Sequence, residues 1–80
     1  MNLVEFAELI VKKLVKEQDM VKVKDFKTED GTTIEIIVAS SDMGRVIGKN
    51  GKIATSIKTL IQAKSYVDGT DKVKVNIDSF

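Results

Sequence analysis

The chain has 80 residues, a net charge of +1, 42% hydrophobic and 31% charged residues, a balance that fits one small folded domain and excludes a disordered polyelectrolyte. It contains no Cys and no His, so disulfides, thiolate chemistry and the commonest near-neutral acid–base group are excluded, and a metal could be held only by carboxylates. No apolar run approaches the roughly 18 residues of a membrane span, and Glu5 and Glu8 interrupt the first apolar stretch, unlike a signal peptide; a cytoplasmic protein is expected.

The spacing of Leu3, Phe6, Ala7, Ile10, Val11 and Leu14 predicts an amphipathic helix with one apolar stripe. Asn2 followed three residues later by Glu5 forms a capping-box signature, and Lys12, Lys13 and Lys16 suit the negative end of the helix dipole. Residues 20–28 read as a strand with Val21 and Val23 on one face and Lys22 and Lys24 on the other; Phe26 breaks that parity, which predicts a bulge or early fraying. Asp30-Gly31 is a turn signal. Residues 32–39 follow as a β-branched strand, with Ile34, Ile36 and Val38 on one face and Ile37 and Ala39 on the other, the pattern of a central strand in an antiparallel hairpin.

Ser40-Ser41-Asp42 reads as an N-cap cluster for a short helix carrying Met43, Val46 and Ile47 on one side. Gly48 stops that helix and Gly51 opens a longer one reaching about Val67, with Ile53, Ile57, Leu60 and Ile61 as its core stripe and Lys64 snorkelling at the stripe's edge. Asp68-Gly69-Thr70 ends it. The last strand alternates Val73, Val75 and Ile77 against Lys72, Lys74 and Asn76. The order helix-strand-strand-helix-helix-strand predicts an α+β fold: a three-stranded mixed sheet covered on one face by three helices, the last strand parallel to the one it left. Residues 1–80 are expected to form a single domain.

Charge is unevenly spread. Arg45, Lys49, Lys52, Lys58 and Lys64 lie between Met43 and Val67, a stretch without Asp or Glu, while the rest of the chain is net acidic. That pattern points to a local anionic partner. Inside the stretch, Gly48-Lys49-Asn50-Gly51 joins two helices. Glycines allow close backbone approach, the amides at the start of a helix favour a phosphate, and Arg45, Lys49 and Lys52 bring charge to the same region. A bland reading of each element exists, a C-cap for Gly48 and a generic turn for Asn50-Gly51. Two glycines flanking Lys-Asn in an acid-free segment weigh towards a binding loop. The spacing excludes a P-loop and a dinucleotide fingerprint. No nucleophile–base pair or metal cluster can be assembled, so an enzyme is not expected and no cofactor is implied.

The run Val46-Ile47-Gly48-Lys49-Asn50-Gly51-Lys52-Ile53-Ala54 resembles the V-I-G-x-x-G signature of KH domains, and the element order matches their type II arrangement. Met43 to Ala54 as a whole resembles the small stand-alone bacterial KH proteins of the KhpA (YlqC-like) type; the broader KH pattern often carries a larger aliphatic residue where Ala54 stands. The resemblance implies binding of single-stranded RNA. Gly48, Lys49, Asn50 and Gly51 would grip the backbone, Arg45 and Lys52 would add charge, and Val46, Ile47 and Ile53 would be candidates for the wall of the base groove. It further implies RNA-based regulation or chaperoning linked to growth and cell shape, as a homodimer or as a heterodimer with a larger multidomain KH protein of the KhpB (Jag) type. Lys58 and Tyr66 read as surface residues. Two other readings stand beside it: a protein-interaction or dimerisation module, and single-stranded DNA binding.

Overall fold

A computed structural model of the chain describes residues 1–69 and 72–80. Its first helix, α1, spans Leu3–Leu14, and Asn2 caps it. The Asn2 side chain accepts from the Glu5 amide at 2.8 Å while the Glu5 carboxylate accepts from the Asn2 amide at 3.3 Å. Two of the amides that a helix start leaves unpaired are thereby satisfied. The chain then makes a short 3-10 turn over Gln18–Met20, so the first strand, β1, begins at Lys22 and runs to Thr28.

β1 pairs antiparallel with β2, which spans Gly31–Val38, in an unbroken register from Lys22 opposite Ile37 to Thr28 opposite Gly31. The bulge or fraying predicted at Phe26 does not occur. Phe26 keeps the strand's parity and sits opposite Thr33, on the face with Lys22 and Lys24, and it is 45% exposed. β3, spanning Val73–Ser79, pairs parallel with β2, so the order is β1-β2-β3 with β2 central. Burial along β2 alternates residue by residue, and Thr32, Ile34, Ile36 and Val38 point into the core.

Three helices lie on that buried face: α1, the five-residue α2 over Met43–Ile47, and α3 over Lys52–Val67. Ala7 and Val11 of α1, Val46 of α2, Ile57 and Ile61 of α3, and Val73 and Val75 of β3 close around Ile34, Ile36 and Val38. Burying one such aliphatic side chain stabilises the fold by roughly 1.5–3 kcal/mol.

Two expected stripe residues face outward. Leu14 is exposed and Val15, just past the helix, takes the buried place. Leu60 is 49% exposed, and Ala54 and Ser65 are buried instead. The core-facing line of α3 is therefore Ala54, Ile57, Ile61 and Ser65, rotated by part of a turn from the line of its largest hydrophobes. Lys64 reaches back to Asp68 at 2.7 Å. Gly69 has φ +70 after the helix end, as the turn signal predicts, and Thr70 lies outside the described residues.

Candidate nucleic-acid interface

The loop between α2 and α3 takes its shape from three consecutive constraints. Gly48 ends α2 with φ 75 and ψ 177, its amide donating to the Gly44 carbonyl at 3.0 Å. A Cβ at Gly48 would lie 2.5 Å from Ile53 Cγ1, so both its backbone angle and its neighbour require glycine. Lys49–Gly51 then form one 3-10 turn in which Asn50 has φ 58 and ψ 25, a left-handed conformation that Asn tolerates better than most side chains. Gly51 has φ 73 and caps α3; a Cβ there would meet nothing within 4 Å.

The first turn of α3 keeps its amides free of side-chain caps. Thr55 and Ser56 turn their hydroxyls back onto the Gly51 and Lys52 carbonyls, both at 3.0 Å, and so do not compete for those amides. A helix start of this kind, next to a glycine-bounded turn, is a ready anion cradle.

Lys49, Asn50 and Lys52 are exposed beside the cradle. Among the described residues, neither lysine takes part in a salt bridge. Ile47 and Ile53 are half-buried at the loop's flank, against the core. Val46 is not available as a groove wall: it is fully buried, because it lies on the core side of α2, one turn from Met43. Of the three aliphatic candidates for a groove wall, Ile47 and Ile53 keep some exposure. Lys58 lies exposed further along α3, and Tyr66 is 86% exposed.

Asp42 departs most from expectation. It makes no side-chain cap for α2. The residue is 1% exposed, and its carboxylate accepts from the Lys16 amide at 3.0 Å and the Glu17 amide at 2.9 Å, both just beyond the end of α1. Arg45 Nε donates to the same carboxylate at 3.2 Å, and the Arg45 side chain stays 49% exposed. The Glu17 amide, then the Lys16 amide, hold the Asp42 carboxyl below its ordinary pKa, against the opposing effect of burial; Arg45 adds to the lowering. The only sequence signal for this clasp is an acidic residue three before an arginine, a spacing easily read as local helix pairing. Among the described residues, no three His, Cys, Asp or Glu side chains come together as a metal site. No helix among them is long and apolar enough to cross a membrane.

A three-stranded mixed sheet with three helices on one face and a glycine-bounded turn between the second and third helices is the type II KH fold. The chain belongs to the KhpA/KhpB KH-domain family, whose pattern matches residues 4–77. It is similar to the RNA-binding protein KhpA of Borreliella burgdorferi, 44% identical over 62 residues that cover 78% of this chain and 76% of that one. The RNA-binding protein KhpA of Clostridium perfringens is 38% identical over 73 residues, covering 91% of this chain and 96% of the relative. The family is one of binding proteins, not of enzymes. Among solved structures, Era in complex with MgGDPNP and a segment of 16S ribosomal RNA superposes with a TM-score of 0.74 at 18% identity. The match covers 98% of this chain but only 30% of the Era chain, and at that identity it speaks for the fold alone.

Proposed function

We propose that this chain binds single-stranded RNA, with the Gly48-Lys49-Asn50-Gly51 loop gripping the sugar-phosphate backbone. The observation that carries the reading is the loop's backbone: Gly48, Asn50 and Gly51 all hold positive φ within one turn, directly before a helix start that carries no side-chain cap. Lys49 and Lys52 add exposed charge there, Arg45 adds a half-exposed guanidinium, and Ile47 and Ile53 offer an apolar flank to bases. Relatives named as RNA-binding proteins support the same reading. A single-stranded RNA partner fits work in the cytoplasm as a post-transcriptional regulator or RNA chaperone.

One short loop supplies few contacts, so useful affinity calls for a second KH domain, in a homodimer or with a larger multidomain KH protein. The surface that favours such pairing is on α3, where Leu60, Ala63 and Val67 form an exposed apolar line; Leu60 is 49% and Val67 81% exposed.

The test is titration of a fluorescent single-stranded RNA with the wild-type protein and with the double variant Lys49→Asp plus Asn50→Asp, whose fold is checked by circular dichroism. Asp tolerates the left-handed backbone at position 50, so the fold is kept. The wild type binds with a log–log salt slope of roughly −2, as expected for about three phosphates on a single strand, and the folded variant does not bind. Equal binding by both proteins, or a slope several units steeper, would refute the loop as the grip. Competition with a matched DNA oligonucleotide separates RNA from single-stranded DNA as the preferred strand.

A further inference from the structure

Asp42 has no part in the RNA grip as described, yet it is one of the most deeply buried side chains in the molecule and the most heavily hydrogen-bonded carboxylate among the described residues. Its two oxygens divide the work. Oδ2 accepts from the Glu17 amide at 2.9 Å, while Oδ1 accepts from the Lys16 amide at 3.0 Å and from Arg45 Nε at 3.2 Å. The backbone amides lie in the segment after α1, and Arg45 lies one helical turn before Gly48. The carboxylate thus joins a fixed part of the scaffold to a charged side chain beside the loop. Arg45 uses only Nε in this contact, and its side chain is 49% exposed. An arginine held at Nε has its remaining donors pre-oriented, with less rotamer freedom to lose on meeting a phosphate.

We propose that Asp42 is a positioning residue for RNA binding: anchored by the Lys16 and Glu17 amides, its carboxylate fixes the Arg45 guanidinium in the direction from which it meets an RNA phosphate. This rests on the reading of the loop as the RNA grip. It also makes a prediction opposite in sign to simple charge arithmetic. Removing a negative charge near an anion site should tighten binding; removing an anchor should weaken it.

The experiment compares Asp42→Asn, Arg45→Lys, Arg45→Gln and the pair Asp42→Asn/Arg45→Gln with the wild type and with the loop variant Lys49→Asp/Asn50→Asp, all against one fluorescent single-stranded RNA over a range of salt. Asp42→Asn is expected to weaken binding roughly three- to tenfold, alike for RNAs of different sequence, and to make the salt slope shallower by about 0.7, the share of one single-strand phosphate. A variant that was merely less folded would lose active protein without changing that slope. In the Arg45→Gln background, Asp42→Asn is expected to add nothing further. Arg45→Lys keeps the charge and leaves Asp42 in place, so it tests the idea even if Asp42→Asn folds poorly; it too is expected to weaken binding. Unchanged or tighter binding by folded Asp42→Asn, wild-type binding by Arg45→Lys, or a full Asp42→Asn effect without Arg45 overturns the proposal while the loop reading stands. Binding that survives the loop reversal removes the grip, and the proposal with it.

Discussion

Gly48 and Gly51 bound the same loop but are held to glycine for different reasons. Both lie at positive φ, where a side chain costs about 1–2 kcal/mol. Gly48 additionally faces the Ile53 side chain at a distance no Cβ tolerates, whereas Gly51 faces open space. Gly48→Ala should therefore destabilise the fold by about 2–4 kcal/mol and shift Ile53, and Gly51→Ala by only about 1 kcal/mol; urea unfolding of the two variants checks the order. Asp42 gives a second prediction. Its folded pKa lies below its ordinary value of 3.8, held there first by the Glu17 amide and next by the Lys16 amide. The stability it contributes is therefore complete above the unfolded value and is lost as pH falls through the folded one. Thermal melts of wild type and Asp42→Asn from about pH 6 down to about pH 2.5 should show the widest gap at the upper end, narrowing with acid.

At the level of elements, α1 was legible from its helical period and β2 from its unbroken β-branched run. The capping box at Asn2 and Glu5 fixed the start of α1, and the two-sided apolar character of β2 marked it as central. α3 was legible in extent but not in rotation. Its largest hydrophobes suggest a line through Leu60, but the packing of α1, α2 and β3 against it selects Ala54 and Ser65, whose small size permits close approach. Phe26 misled for the converse reason: a large apolar side chain on a helix-free sheet face breaks the hydropathy pattern without breaking the strand. Asp42 could not be placed from sequence, since its partners are backbone amides 25 and 26 residues away. In the candidate site, the loop itself was plain in the spacing of its glycines; the inward turn of Val46 depended on how α2 is seated. The exposed line on α3 yields a further prediction. If that line is the proposed pairing surface, wild type should sediment as a dimer, and Leu60→Asp should sediment as a monomer while its melting curve stays within about 0.5 kcal/mol of wild type.

Over the molecule as a whole, the sheet arranges the ends of the helices so that the proposed RNA loop and the proposed pairing line do not compete for the same surface. The loop and its cations lie at the N-terminal end of α3, and the exposed apolar line lies towards its C-terminal end. A second KH protein docked on that line would leave the loop accessible to RNA. The parallel pairing of β2 with β3 has a consequence in time. β1 and β2 are joined by a tight turn, but Thr32 meets Val73 only after both later helices have been threaded between them. The hairpin can close early, whereas the last strand adds late, after a costly long-range closure. Stopped-flow far-UV circular dichroism suits the question better than tyrosine emission, because Tyr66 is 86% exposed when folded. Val23→Ala in β1 should slow refolding, and Val75→Ala in β3 should chiefly hasten unfolding. For a newly made chain, the final strand would then be the gate: until it docks, the central strand keeps one edge unpaired and open to a neighbour's backbone.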